Sequence, residues 1–108
     1  MVTLQGRIVD GVVVSTQHAL NIVIRGAAFN ELKPLTEGAG SAIIADDERK
    51  IVYIAGLRVT RSSIYIRIPL AYMQLYRRGE KASVFVIPIP FWLRRRLIPT
   101  RQEKVKAQ

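Results

Sequence analysis

The chain has 108 residues, 49% of them hydrophobic, and it contains no cysteine. This length fits one domain, or two very small ones sharing a core, and the apolar content excludes a disordered chain. Without cysteine there is neither a disulfide framework nor a thiolate metal site. The formal net charge of +9 favours a polyanionic partner, with nucleic acid ahead of an anionic membrane surface.

The charge is divided unevenly between the two halves of the chain. Residues 1–48 contain three Lys and Arg against six Asp and Glu, a net charge of −3. Residues 49–108 contain fourteen against two, a net charge of +12. Arginine also outnumbers lysine by 12 to 5, which favours a hot environment. A field this one-sided predicts one basic surface and an acidic opposite surface.

The N-terminus lacks the basic stretch and following apolar stretch of a signal peptide. The longest apolar run, Val84–Leu93, is interrupted by Pro88 and Pro90 and is far shorter than the roughly 20 residues that span a bilayer. We therefore expect a soluble cytoplasmic protein, associated with the nucleoid, without a membrane span.

Apolar residues in the first half recur mostly with period two and are rich in Val and Ile, which predicts strands. The predicted elements are a strand over Thr3–Val9 closed by a turn at Asp10-Gly11, a hairpin of Val12–Ser15 and Leu20–Ile24, a short helix over Ala27–Lys33 ending before Pro34, a loop over Gly38–Ser41, and strands Ala42–Ala45 and Ile51–Ile54 around the polar turn Asp46–Lys50.

The same order of elements recurs in the second half. The predicted elements are a hairpin of Leu57–Thr60 and Ile64–Ile68, a short helix over Leu70–Arg77, strands Ser83–Ile87 and Phe91–Ile98, and a polar tail over Thr100–Gln108. In the hairpin, Ile64, Ile66 and Ile68 are predicted to face inward, whereas Tyr65 and Arg67 face outward.

This recurrence predicts an internal repeat. Placing Ile22 and Ile24 over Ile66 and Ile68 gives a period of 44 residues, which falls to 41 after the helix. The predicted organisation is an N-terminal strand over 1–11, a first repeat over 12–55, a second over 56–98 and a flexible basic tail over 99–108, all within one compact domain. The alternative is an ordinary β-rich barrel whose halves look alike by chance.

The sequence offers little material for catalysis, which needs convergent titratable or nucleophilic groups. His18 is the one histidine and lies in a predicted hairpin loop. The acidic triplet Asp46–Glu48 is expected to be a solvated turn rather than a cation site, and no glycine-rich loop leads from a strand into a helix. We expect no enzyme activity, no cofactor and no metal.

Arginines in the second half occupy positions from which a hairpin could present them to DNA. Arg58 and Arg67 fall on outward positions of two adjacent strands, and Arg61 lies in the loop between them. A two-stranded ribbon fits the major groove, where arginine binds guanine or a phosphate.

Two further basic groups lie outside this hairpin. Arg77 and Arg78 end the second predicted helix, where they could instead interact with the helix C-terminus. Arg94, Arg95 and Arg96 follow Phe91-Trp92; they could also keep an edge strand soluble, and an aromatic-basic segment also suits a membrane interface.

The second half, LRVTRSSIYIRIPLAYMQLYRRGEKASVFV, resembles the swapped-hairpin domain of AbrB-type transition-state regulators and MazE-like antitoxins. The matching features are the basic hairpin loop Arg58–Arg61, the strand end Ile66–Pro69, the short helix Leu70–Arg77, Gly79-Glu80 and the strand Val84–Val86. In the first half, Ala42–Ile54 resembles the strand, acidic turn and final strand of that family. The first half departs from the pattern at Arg25, where the family has proline, and its hairpin loop lacks a basic residue.

The resemblance implies a mostly β fold with two short helices, a swapped-hairpin barrel formed by two tandem β-β-α-β-β repeats as an intramolecular pseudo-dimer. It also implies double-stranded DNA as the partner and a role as a transcriptional regulator or nucleoid protein. The DNA-binding residues would then be Arg58, Arg61, Arg67, Arg77, Arg78, Arg94, Arg95 and Arg96. An alternative is an assembly module in which the acidic half of one molecule meets the basic half of another, and a third possibility is peripheral membrane binding through Phe91–Ile98.

Overall fold

The structure is a computed structural model that describes residues 4–17 and 19–93. Within these residues it contains six strands, one complete α-helix and two 3₁₀ helices, and residues 91–93 are also helical. In chain order these are β1 (Arg7–Thr16), β2 (Ala19–Arg25), α1 (Gly26–Leu32), the 3₁₀ helix η1 (Lys33–Thr36), β3 (Ala39–Asp46), β4 (Ile51–Val59), β5 (Ser63–Arg67), the 3₁₀ helix η2 (Leu70–Leu75) and β6 (Lys81–Pro90). No helix among the described residues is long and apolar enough to cross a membrane.

The six strands form a closed antiparallel barrel in the order β1-β2-β5-β4-β3-β6, with β6 pairing back onto β1. Closure leaves no sheet edge along the paired segments, which removes the most common template for aggregation. The mostly β character predicted from the period-two pattern and the barrel that the resemblance implies are thus confirmed.

The core of the barrel is filled by β-branched side chains at alternating positions, as the pattern predicts. Ile22 and Ile24 of β2 and Ile64 and Ile66 of β5 are completely buried, and Ile44 of β3 meets them from the opposite wall. Tyr65 and Arg67 point away from the core, so the predicted facing of β5 is confirmed.

The predicted turn at Asp10-Gly11 is wrong, because β1 continues through both residues. Asp10 pairs with Ser83 and Gly11 with Ala82. Gly11 faces the core, where a Cβ atom would lie 2.6 Å from Ile22 Cγ2 and 2.9 Å from the carbonyl oxygen of Val23. Glycine here permits close packing of β1 on β2 and does not mark a turn.

Other boundaries move because strands are longer than the sequence suggests. Strands Ile51–Ile54 and Leu57–Thr60 are one strand, β4, so the boundary between the two predicted repeats falls inside it. The predicted loop Gly38–Ser41 largely belongs to β3. Strand β6 continues through Pro88 and Pro90 of the apolar run. Both prolines lie beyond Val86, the residue at which the pairing of β6 with β1 ends. A strand tolerates proline where one of its two sides has no hydrogen-bonding partner strand.

The helical segments also differ from prediction. Helix α1 ends at Leu32, before Pro34 as predicted, but the chain continues directly into η1. Pro34 lies in the first turn of η1, a position that needs no N–H. The second predicted helix is the 3₁₀ helix η2, and Tyr76 after it is extended. Residues 91–93 are helical, so the start of the predicted strand Phe91–Ile98 is wrong; its remainder lies outside the described residues.

The strand pairing is unchanged when β1, β2 and β3 are exchanged with β4, β5 and β6. The pairing registers of the two hairpins follow the same exchange. Adding 44 to both residue numbers converts the β1–β2 pair Val13–Ile22 into the β4–β5 pair Leu57–Ile66. Ile22 and Ile66 are themselves paired across β2 and β5, so the exchange converts this pair into itself. The predicted offset of 44 therefore describes the two hairpins.

The predicted offset of 41 after the helix is wrong by one residue. The pair Gly11–Ala82 corresponds to Ala55–Ala42, which requires an offset of 40 between β3 and β6. Because side chains alternate across a strand, an odd offset would equate inward with outward positions. With an offset of 40 residues, the buried Ala42 of β3 corresponds to the equally buried Ala82 of β6.

We expect Gly11→Ala to lower the free energy of unfolding by about 1–3 kcal/mol, since its methyl group overpacks the β1–β2 contact. Gly56→Ala is the matched control, because a Cβ atom there meets nothing within 4 Å. That variant should be unchanged or more stable by up to about 1 kcal/mol. Urea denaturation measures both, and equal effects would contradict this account of Gly11.

Candidate nucleic-acid interface

The outer surface of β2, β5 and β4 contains a groove with a volume of about 510 Å³. The residues that line it come from both hairpins. They are Thr16, Gln17, Ala19, Asn21, Gly56, Leu57, Arg58, Tyr65 and Arg67. We call this surface the arginine groove.

Cross-strand neighbours bring the polar side chains of the groove together. Asn21 of β2 lies opposite Arg67 of β5, and Arg58 of β4 lies opposite Tyr65 of β5. The Arg58 guanidinium stacks over the Tyr65 ring at 4.3 Å from its centroid, a cation–π contact that orients the guanidinium. Gly56 leaves the floor open because it has no side chain.

The hairpin loop beside the groove is held by hydrogen bonds to one hydroxyl. The backbone N–H of Ser63 donates to Thr60 Oγ1 at 3.1 Å, and that hydroxyl donates to the Ser63 carbonyl oxygen. Side-chain bonds of this kind stabilise tight turns. Arg61 in this loop is exposed, so Arg58, Arg61 and Arg67 are presented by one hairpin, as predicted.

A fourth basic residue, Arg25, stands at the end of β2. It pairs with Ser63, and its Nε donates to Ser63 Oγ at 3.4 Å. Arg25 is not among the predicted binding residues because it belongs to the acidic half of the chain. No local sequence signal brings it to the hairpin, since Arg25 and Ser63 are 38 residues apart along the chain.

Arg58 and Arg67 have no arginine at the equivalent positions of the first half. The offset of 44 equates Arg58 with Val14 and Arg67 with Val23, and it equates Gly56 with Val12. The smaller concavity at that position has a volume of about 240 Å³ and includes those valines, together with Asp10, Arg25 and Lys81. Arg58 and Arg67 thus line one of the two concavities, and Arg25 lines the other.

The other predicted arginines are not part of the groove. Arg77 and Arg78 are exposed in the turn between η2 and β6, where the backbone N–H of Arg77 donates to Glu80 Oε1 at 2.7 Å. Arg94, Arg95 and Arg96 lie outside the described residues, as does His18. Within 4–17 and 19–93, no three His, Asp or Glu side chains form a group able to hold a metal ion.

The interpretation of the acidic triplet as a solvated turn is wrong for Asp46, whose side chain is completely buried. Its Oδ1 accepts the backbone N–H of Arg49 at 3.0 Å, closing the β3–β4 turn. Its Oδ2 accepts from the Arg49 guanidinium at 3.0 Å and from the Tyr76 hydroxyl at 2.8 Å. Asp47 and Glu48 are exposed, as expected.

Arg49 and Tyr76 extend these contacts into a network. The Arg49 guanidinium also pairs with Glu80 and donates to the carbonyl oxygen of Leu75 at 2.9 Å. It lies 4.3 Å from the Tyr76 ring centroid, and the Tyr76 hydroxyl shares a hydrogen bond with that of Tyr53 at 2.9 Å. The network therefore joins the β3–β4 turn, η2 and the start of β6.

The network shifts the acid–base behaviour of its members. Burial raises the pKa of Tyr76 strongly, and its hydrogen bonds to Tyr53 and Asp46 act in the same direction. Burial also raises the pKa of Tyr53. The pKa of Glu80 is lowered, first by the backbone N–H of Arg77 and then by Arg49. Both tyrosines thus remain protonated donors, and Glu80 remains ionised.

Comparison with known proteins gives no match to this chain among family models, curated proteins or solved structures.

We expect Arg49→Met to lower the free energy of unfolding by about 3–5 kcal/mol, because it leaves the buried Asp46 carboxylate uncompensated. Adding Asp46→Asn should restore part of that loss, since the buried charge is then absent. Urea denaturation of both variants measures the difference. An unchanged midpoint for the single variant would show that Arg49 does not neutralise Asp46.

The raised tyrosine pKa values predict a loss of stability in alkali. In the unfolded chain these hydroxyls ionise near their ordinary pKa of 10.0, whereas in the fold they stay protonated. Their stabilising contribution is therefore complete below pH 10 and decreases as the pH rises above it. Unfolding free energies should fall less steeply above pH 10 in the Tyr53→Phe, Tyr76→Phe double variant than in the wild type; equal slopes would refute the assignment.

Proposed function

We propose that this chain is a DNA-binding protein, a transcriptional regulator or nucleoid protein, that contacts duplex DNA through the arginine groove. The observation that carries the proposal is that one hairpin contributes Arg58 and Arg67 to the groove and has the exposed Arg61 in its loop. Arginine binds phosphate and guanine through several N–H groups at once. Gln17 adds an amide group to the same groove, and amides can contact base edges or phosphates. The Asn21 amide is buried and donates to Thr16 Oγ1 at 2.9 Å.

The remaining positive charge would act over longer range. Arg25 lies beside the proposed contact hairpin, and Arg77 and Arg78 are exposed elsewhere on the barrel. With a net charge of +9, the chain attracts a polyanion before any contact forms. We assign Arg77, Arg78, Arg94, Arg95 and Arg96 this diffuse role.

We also propose that the two halves are diverged copies of one AbrB-like unit, closed as an intramolecular swapped-hairpin pseudo-dimer. The symmetric strand pairing and the common offset of the two hairpins support this proposal. On this view the first copy has valine where the second has Arg58 and Arg67. Contact with DNA would then be lopsided, with one basic surface where a symmetric dimer has two.

The test compares two triple variants that remove equal charge. Changing Arg58, Arg61 and Arg67 to Gln should weaken duplex binding and reduce the slope of log affinity against log salt by about one for each lost phosphate contact. Changing Arg7, Lys33 and Lys50 to Gln removes the same charge outside the groove. Fluorescence anisotropy with labelled duplex across a salt titration measures both slopes.

The groove variant should lose clearly more affinity than the control variant. Equal losses would show that only net charge matters, and association independent of salt would refute DNA binding by phosphate contact. Self-association that dissolves in salt, without a response to DNA, would favour the assembly module. That alternative must use acidic groups other than Asp46, which is buried against Arg49.

A further inference from the structure

Arg58 in the arginine groove is held against an aromatic ring. Its guanidinium carbon lies 4.3 Å from the centroid of the Tyr65 ring. Arg58 is exposed and lines the groove, whereas Tyr65 is half-buried beneath it. The ring therefore supports one side of the guanidinium, and the other side is open to a ligand in the groove. A supported guanidinium of this kind is a surface on which a second planar group can stack.

The positive charges of the groove are not neutralised by acidic side chains. In the part of the chain that the structure describes, no carboxylate forms a salt bridge with Arg58 or Arg67. Arg67 is exposed and lies two residues after Tyr65 on the same face of β5. An anionic group that enters the groove thus meets uncompensated guanidinium groups, which bind phosphate through several N–H groups at once.

The groove is large enough to hold one small planar molecule or group. Its volume of about 510 Å³ lies within the range of roughly 300–1,000 Å³ that is typical of small-molecule sites. Gly56 contributes to this space, because a Cβ atom there would meet nothing within 4 Å. The equivalent position of the first half has Val12. Gln17 also lines the groove and is exposed, so its amide is available to a base edge.

A paired base cannot use this arrangement. Within a duplex the two faces of each base are covered by its stacked neighbours, and only the base edges are open in the grooves of the DNA. A base offers its face to a protein side chain once it is unstacked. The supported guanidinium of Arg58, inside a concave site, therefore favours an unpaired nucleotide over continuous duplex.

We propose that the arginine groove holds one unpaired nucleotide of the bound DNA, with its base stacked on the Arg58 guanidinium and its phosphate bound by Arg67. Arg61, exposed in the hairpin loop, then contacts the backbone of the flanking duplex. This proposal rests on the proposed function, since it concerns the form of DNA that the same groove prefers.

The test uses three labelled duplexes of one sequence. One is fully paired, one has an extra unpaired deoxyadenosine in the middle of one strand, and one has an unpaired abasic nucleotide at the same place. The abasic probe has the same interruption of the duplex without a base. In fluorescence anisotropy, the wild type should bind the deoxyadenosine probe at least about tenfold more tightly than either other probe, the gain expected from stacking one base.

Variants of the stacked pair identify the source of this preference. Arg58→Lys keeps the charge but lacks the planar guanidinium, and Tyr65→Leu removes the ring that supports it. Both should lose most of the preference for the deoxyadenosine probe over the abasic probe, whereas Tyr65→Phe keeps the ring and should retain it. Arg7→Lys is the matched control for Arg58→Lys, because Arg7 is exposed and does not line the groove; it should also retain the preference.

The outcomes separate this proposal from the proposed function. Circular dichroism confirms that each variant is folded. Equal affinity for the deoxyadenosine and abasic probes, or a preference that survives in folded Arg58→Lys or Tyr65→Leu, would overturn the stacking of a base while leaving DNA binding by the groove intact. Absence of binding to all three probes would refute the proposed function, and the stacking with it.

Discussion

The buried carboxylate of Asp46 is the constraint on which the end of the barrel depends. A charge removed from water must be neutralised and hydrogen-bonded where it lies, and Arg49, three residues later, supplies both functions. Arg49 in turn holds Glu80 and the carbonyl oxygen of Leu75. Through these contacts a local turn determines where η2 ends and where β6 begins, and β6 is the strand that closes the barrel.

Closure of the barrel separates the two outer surfaces. Because β2 pairs with β5 and β3 with β6 on the opposite wall, outward side chains of the first pair cannot meet those of the second. Arg58 and Arg67 line the groove, whereas Arg25 and Lys81 line the smaller concavity. The same topology gives the two halves equivalent positions, so Val14 and Val23 of the first half stand where Arg58 and Arg67 stand in the second.

Much of the fold follows from alternation along each strand. The period-two pattern of Ile64–Ile68 correctly predicts which side chains enter the core, because burial of one face leaves a strand little freedom of register. The pattern fails where glycine or proline suggests an interruption. Gly11 lies inside a strand because Ile22 needs the space, and Pro88 remains in β6 beyond the end of its pairing with β1. Such packing reasons depend on a neighbouring strand, and the local sequence does not contain them.

The sequence by itself determined the strand-rich character, the inward isoleucines of β5 and the presence of Arg58, Arg61 and Arg67 in one hairpin, because these depend on side-chain alternation over a few residues; the strand ends were not determined in this way. Only the tertiary structure decided which distant residues meet. It placed Asn21 opposite Arg67 and buried Asp46 against Tyr76, although an acidic turn is ordinarily solvated. It also corrected the offset between β3 and β6 to an even number. Pairing between strands far apart in the chain is set by closure of the whole barrel and by burial of one face of every strand together, which no short segment can specify.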